Sequence, residues 1–331
     1  MATVIGRNRP VTNSRIDRGL IVWIVVFTTL VALFIAREQV PWLTSFPDTW
    51  TLPMAAVINI AMQWFVDTFQ WLFKAISWVL QWPMNWIQDL LAWLPWPATI
   101  AAFAILSYIS AGWRLALFTI LSLFYMVLIG YWMESMRTLA LVFVSVPLAL
   151  SVGLFVGIAA FKSRTINRVV QPTMDVMQTL PTFSYLIPIL LLFGFGPVVG
   201  LIASAIYACP PMVRNVILGL QRVPPEVVES AQMAGATRHQ LLWWVQIPSS
   251  MSNIMMGVNQ TLMAALSMVI IAAIIGSSAD IGWEVLDTMR KARFGESVLA
   301  GAVICLIAMN MDRISRGFVD RPLIHRVGDS W

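Results

Sequence analysis

Apolar positions in this chain come in long uninterrupted runs rather than in the alternations of a soluble core. With about twenty residues needed to cross the hydrocarbon of a bilayer, the runs predict eight spans, near 20–36, 98–112, 114–131, 138–161, 173–195, 198–220, 254–276 and 297–313. Several are short for a crossing, and one broken hairpin is an alternative reading of the pair 98–131. Residues 54–93 follow a different pattern. Gln63, Asp67, Gln70, Lys74, Ser77, Gln81, Asn85 and Gln88 return every three or four positions and draw one polar stripe along a helix. Trp64, Trp71, Trp78, Trp82 and Trp86 lie next to that stripe. Indole at a polar–apolar border suits the headgroup layer, where the ring is buried and the N–H stays wet. The stretch therefore predicts one or two helices lying on the outer leaflet, broken near Pro83. An aromatic cage for a quaternary ammonium needs rings converging from several directions, whereas these lie along one helix.

Composition agrees with a membrane protein: 59% of residues are hydrophobic, 11% are charged and the mean hydropathy is +0.78. A soluble domain carries about 25% charged residues. The net charge of +5 is spread through loops, which fits the positive-inside rule better than a nucleic-acid surface. With the N-terminus inside, the cytoplasmic segments hold most of the 21 Lys and Arg, leaving Arg37, Lys74, Arg137, Arg290, Lys291 and Arg293 outside. Both termini and the polar segment 223–250 then face the cytoplasm. Arg7, Arg9, Arg15 and Arg18 precede the first run with no small-residue cleavage site after it, so that run reads as a retained anchor. Cys209 and Cys305 stand far apart in apolar runs and read as buried small hydrophobes.

The segment VPPEVVESAQMAGATRHQLLWWVQIP, Val223 to Pro248, carries the most specific signal. Glu229-Ser230-Ala231 is followed after three residues by Gly235, and after nine more by Val245-Gln246-Ile247-Pro248. Pro224-Pro225 can open a helix, with Glu226 and Glu229 near its positive end. Ala231 and Gly235, four apart, are expected to share one nearly flat face. The spacing resembles the cytoplasmic E-A-A, G, I-x-L-P loop of ABC importer permeases, with Ser230 for the first Ala, Val245 for the Ile and Ile247 for the Leu. The resemblance implies that Glu229, Ser230, Ala231, Gly235, Ile247 and Pro248 form the coupling helix region that docks on a separate ATPase subunit.

Two further stretches sharpen the resemblance. Asp175-Val-Met-Gln-Thr-Leu-Pro-Thr-Phe-Ser-Tyr-Leu-Ile-Pro188 and Gly257-Val-Asn-Gln-Thr-Leu-Met-Ala-Ala-Leu-Ser-Met268 are similar to the permeases of glycine betaine/proline betaine (ProU-type) ABC importers. The similarity runs over roughly 98–316 and implies an all-α integral membrane protein with the type I ABC importer permease fold. Its expected organisation is an N-terminus and anchor at 1–37, outer Trp-rich helices at 38–97, additional spans at 98–131, a five-span core at 132–318 with the coupling loop at 223–250, and a tail at 319–331.

Gln178, Thr179, Pro181, Tyr185, Asn259, Gln260, Ser267 and Met268 are the candidates for a translocation path or gate. Amides in hydrocarbon are costly and should face protein or a water-filled route. Asn259 and Gln260 serve either as path residues or as interhelical hydrogen-bond partners. Thr261 can bond its hydroxyl to the preceding turn. Pro181 and Pro188 should bend or interrupt their helix, and Phe183, Tyr185 and Tyr207 either present ring faces to a methylated ammonium or simply pack. By resemblance, two permease copies would form the path in a bacterial inner membrane. A binding protein would deliver a small zwitterionic or cationic solute at the outer loop Gly276–Ser297, whose GSSADIGWEV departs from the glycine-rich turn expected there.

Nucleotide and metal chemistry have no residues here. Gly194, Gly196 and Gly200 lack a following Lys-Ser or Lys-Thr, and no phosphate-cradling GxxxxGK[ST] exists in the chain. ATP and Mg are therefore expected on the partner ATPase, with no cofactor on this chain. His239 and His325 sit in loops without metal or triad spacing. An ion-coupled secondary transporter or channel is the alternative, and it would need acidic or basic groups inside the spans. Asp175 and Asp312 fall near span ends.

Overall fold

The computed structural model describes residues 14–37, 40, 53–276 and 279–328, and every regular element among them is helical. Contacts divide the chain into two units, 1–65 and 66–331. In the first, α1 (Ser14–Ala36) exposes its described apolar side chains, Leu20 through Ile35. The hydroxyls of Thr28 and Thr29 donate to the carbonyls of Ile24 and Val25, at 2.6 and 2.7 Å. A helix that is apolar all round with its hydroxyls bonded internally is what hydrocarbon requires.

The second unit begins within α2 (Met54–Trp93) and continues through α3 (Trp96–Ala111), α4 (Trp113–Leu128), α5 (Trp132–Lys162), α6 (Arg164–Thr179), α7 (Phe183–Phe193) and α8 (Pro197–Gln221). After the segment 225–249 come α12 (Met251–Gly276), α13 (Ile281–Arg290) and α14 (Phe294–Gly328), with α9 to α11 described below. The middle of the unit is α8, packed between α5 and α12. Small residues let these backbones approach. A Cβ on Gly153 would lie 2.6 Å from that of Met212, and one on Gly157 would lie 2.7 Å from that of Val216. On the other side of α8, Gly219 meets Ser250 and Asn253, while Gly257 of α12 meets Asn215 and Met212.

Among the described residues five helices are long and apolar enough to cross a membrane, or up to seven if each of two bent pairs counts as one span. Eight were expected, and the differences have local causes. The run 173–195 is not one helix: α6 and α7 meet at 105°. Leu180, ahead of Pro181, is forced into the extended region (φ −64°, ψ 136°), whereas Pro188 sits inside α7 without ending it. The expected break near Pro83 is absent, and α2 runs through it. Ile76 and Leu80 before the proline, and Met84, Ile87 and Leu91 after it, line one stripe against the core, so packing on both sides carries the helix across the missing hydrogen bond. α2 then turns by 112° into α3. The run 98–131 is the broken hairpin: α3 and α4 pack on each other and reverse at Gly112 (φ +84°). Each has 16 residues, a length of about 24 Å, short of a hydrocarbon layer of about 30 Å.

A buried polar chain fastens this hairpin to α14. The hydroxyls of Ser107 and Thr119 share a hydrogen bond of 2.7 Å, and Thr119 donates to Asn310 Oδ1 at 2.8 Å. Asn310 Nδ2 donates to the Leu306 carbonyl, and Ser110 Oγ to that of Ile314. Both cysteines are free; Cys209 is buried as expected, but Cys305 is exposed, on a side of α14 that no described element covers.

Candidate functional site

The polar segment folds as the proline pair directs. Pro224 caps and Pro225 opens α9 (Pro225–Met233), with Glu226 in its first turn. The helix exposes most of its side chains, and Met233 stands 83% exposed at its end. Ser230 Oγ donates to the Glu226 carbonyl at 2.5 Å. Gly235 does not continue the helix face shared with Ala231. It adopts φ +81° and closes α9: its N–H donates to the Gln232 carbonyl, and the Ala236 N–H reaches back to that of Ala231. This paired closure needs a left-handed residue. A Cβ there would meet nothing within 4 Å, so glycine is required for its backbone and not for clearance within this chain.

A second stop-and-start follows at once. Thr237 caps α10 (Arg238–Gln240), its hydroxyl accepting from Gln240 N while the Gln240 side chain accepts from Thr237 N. Leu241–Gln246 is then wound as a π-turn, and α11 (Ile247–Ser249) completes the segment with Pro248. The fold thus brings the two ends of the spaced motif together, because α9 packs on the π-turn that leads into Ile247 and Pro248. Leu242 is the peg of this arrangement. It is buried among Ile158 of α5, Met212, Val216 and Leu220 of α8, and Ile254 of α12, with Ile247 beside it.

The candidate path residues fall into two groups. Gln178, Thr179 and Pro181 are exposed at the α6–α7 break, with Thr179 Oγ1 donating to the Val176 carbonyl. Gln260 and Ser267 are exposed on α12, Ser267 bonding back to Met263. Tyr185 and Met268 instead sit in the core. The Tyr185 hydroxyl donates to the Met177 carbonyl across the bend, and its ring meets Tyr207 edge to face at 5.7 Å. That ring face is not open to a solute, while Phe183 points outward.

Gln260 Oε1 accepts from Asn215 Nδ2 at 2.9 Å, which makes it an interhelical partner that still reaches the surface. Asn259 Oδ1 and Thr261 Oγ1 are enclosed without hydrogen-bond partners, so the expected back-bond of Thr261 does not form. Asn215, Gly153 and Gly157 escaped the sequence reading. The glycine pair, four apart in an apolar run, was the available signal; a lone Asn in the middle of α8 was the other.

At the far end of α5 from Leu242, α13 is pinned by side chains. Thr138 Oγ1 accepts from Ile281 N at 3.1 Å, Arg137 donates to the Ala279 carbonyl, and Asp280 caps α13 through Trp283 N. Burial first, then Asp287, Glu134 and Glu296, push the Glu284 carboxyl above the ordinary carboxylate range, with Lys291 opposing.

Residues 149–312, from the middle of α5 into α14, match the family described as the binding-protein-dependent transport system inner membrane component. The glycine betaine transport system permease protein OpuAB of Bacillus subtilis is 37% identical over 265 residues, covering 80% of this chain and 94% of that protein. The chain belongs to this family. The permease is also 36% identical over 265 residues to the glycine betaine/proline betaine transport system permease protein ProW of Escherichia coli, covering 80% of this chain and 75% of ProW. The trimethylamine N-oxide transport system permease protein TmoV of Ruegeria pomeroyi is 41% identical over 226 residues, which are 68% of this chain and 34% of that longer protein. This chain therefore spans about a third of the length of TmoV. The family match contains α8, the segment 225–249 and α12; α2 and the α3–α4 hairpin precede it.

Proposed function

We propose that this permease is the membrane subunit of an ATP-driven, binding-protein-dependent importer of a quaternary-ammonium or related methylated compatible solute. The observation that carries the solute class is the shared chemistry of its relatives' named solutes. Glycine betaine, proline betaine and trimethylamine N-oxide are all methylated nitrogen compounds without net charge. Glycine betaine is the first candidate, followed by choline, proline betaine, trimethylamine N-oxide and dimethylsulfoniopropionate.

In this reading a separate ATPase subunit holds ATP and Mg and grips α9 on the cytoplasmic side. A binding protein meets the α13 end, two permease copies enclose the path, and both termini are cytoplasmic in the bacterial inner membrane. The exposed α9 supports the docking role, since it sits on a π-turn whose Leu242 is buried in one cluster with residues of α5, α8 and α12. Gln178, Thr179, Pro181, Gln260 and Ser267 are the accessible polar or bent candidates for this path, and Asn259, Tyr185 and Met268 are the enclosed ones. The chain moves solute by rearranging helices and does no covalent chemistry itself.

The test is to purify the tagged permease gently from its native host and identify stoichiometric companions by mass spectrometry. The complex is then assayed for ATP hydrolysis with its binding protein and each candidate solute. An ATPase companion, with hydrolysis stimulated by a methylated solute, is expected. A chain that emerges alone and homo-oligomeric under conditions that keep ABC complexes together would shift the assignment to an ion-coupled carrier or channel.

A further inference from the structure

Where α5 ends against the segment 225–249 there is a concavity of about 590 Å³, bordered by Gln232 at the end of α9. Its floor is apolar, built from Phe161, Leu241 and Leu242. Its rim is polar and carries two cations, Lys162 from the last turn of α5 and Arg238 from α10, beside His239, Gln232 of α9 and Gln246. Among the described residues no carboxylate lines it. The ion pairs formed among the described residues lie elsewhere, so Lys162 and Arg238 have no counter-charge among them. Lys162, Arg238 and His239 are all exposed.

The depth of the cleft follows from α5. Its 31 residues measure about 46 Å, close to the roughly 40–45 Å of a bilayer with its headgroups included. Lys162, the final residue, therefore lies in the headgroup layer. The tryptophans beside the cleft agree with that level. Trp243 is 42% exposed and stacks obliquely on the His239 ring at 6.1 Å, and Trp244 is 74% exposed. Exposed indoles gather where a membrane turns from apolar to wet.

We infer that this cleft seats the phosphate headgroup of an anionic phospholipid from the adjacent leaflet, with its acyl chains against Phe161 and the neighbouring apolar wall. An apolar floor under unpaired cations, flanked by exposed tryptophan at headgroup depth, fits such a lipid better than it fits a soluble acidic protein, which has no use for the apolar floor or the indoles. The bound lipid would bridge α5 to α10 and so steady the segment that carries α9. This inference rests on the chain spanning a membrane and is independent of which solute is carried.

The experiment places the full chain, alone and with its co-purified ATPase, in phosphatidylcholine vesicles doped with photoactivatable phosphatidylglycerol or photoactivatable phosphatidylcholine. Crosslinks to the peptides bearing Phe161 and Arg238–Gln246 are quantified. Phosphatidylglycerol should label them in preference to phosphatidylcholine, with and without the ATPase. That preference should fall by about fivefold for each charge removed in Lys162→Gln and Arg238→Gln. Equal labelling by the two lipids, or a preference unchanged in the double variant, would overturn the lipid site. A preference abolished by inorganic phosphate at constant ionic strength would overturn it in favour of a soluble phosphate. One abolished by the ATPase would overturn it in favour of an acidic protein segment.

Discussion

Gly235 offers a test that separates two reasons for one residue. If it served to keep the outside of α9 flat for a partner, any side chain there would obstruct docking in proportion to its size. The structure gives a different requirement. Gly235 holds φ +81° to close α9, and a Cβ would find open space around it. Placing an ordinary L-residue in that region costs about 1–2 kcal/mol, a factor of about 5 to 30 in the population of the closed turn. Asparagine tolerates the conformation and should lose much less, whereas a β-branched residue should lose most. The expected order of solute-stimulated ATP hydrolysis in the reconstituted complex is therefore Gly, then Asn, then Ala, then Val, with membrane insertion and basal hydrolysis unchanged. Gly235→Asp, a close relative of Asn, should retain partial coupling where a pure clearance requirement would leave none. If Gly235→Asn is as damaging as Gly235→Val, and both are worse than Gly235→Ala, size at the interface governs and the turn argument is wrong.

Three other perturbations follow from the packing and the charges. Gly157→Leu drives a side chain into Val216 and should cost at least about 1–3 kcal/mol, read as loss of the monodisperse peak in detergent, while Gly295→Ala, in open space on α14, should be neutral. In a double-mutant cycle between Thr119→Val and Asn310→Leu, thermal unfolding should reveal a coupling of about 0.6–1.7 kcal/mol; additive effects would deny that the buried chain fastens the hairpin. Glu284 has its folded pKa raised, so its contribution to stability is fully present below the ordinary carboxylate pKa and is lost as pH rises through the raised value. Glu284→Gln should consequently raise the unfolding temperature at neutral pH and have little effect near pH 4, and the reverse dependence would contradict the burial and the facing carboxylates.

How far the sequence could be read depended on whether a feature was local. The segment 225–249 was legible because prolines, acidic first-turn residues and spacing act within a few positions. The break at Leu180 was legible for the same reason, since the residue before a proline is restricted by its neighbour alone. Pro83 misled because its outcome is decided by Leu80, Met84 and Leu91 meeting a core built from residues far along the chain. Gly235 was found by its spacing, but the shared helix face expected with Ala231 does not form, because four-residue spacing means a shared face only while the helix continues, and α9 ends at Met233. Asn215 carries no periodic signal and gains meaning only when α12 brings Gln260 to it. The π-turn at Leu241–Gln246, and the cleft it helps to form, had no sequence signature beyond Pro248.

These attachments also determine where the bundle can yield. Gly235 closes α9 and Thr237 with Gln240 opens α10, so the junction within the segment 225–249 is defined on both sides. Leu242 anchors the segment in one buried apolar cluster with residues of α5, α8 and α12. These three helices meet through Gly153, Gly157, Gly219 and Gly257 with no room for an added methyl, so sliding one past another would force backbone collisions. They therefore move as a block. The compliant place lies at the α6–α7 bend, where Leu180 has already left the helix. Across that bend the Tyr185 hydroxyl holds the Met177 carbonyl, and α6 is tied to α8 by the Arg214–Asp175 pair. Both members of that pair are more than a third exposed, and in water such a pair contributes about 0–1 kcal/mol. A shift of the block against α6 would have to break those two contacts and slide Met174 across Ala160 of α5 and Cys209, Val213 and Ile217 of α8, and it would change the position of the block relative to Gln178 and Thr179 at the end of α6.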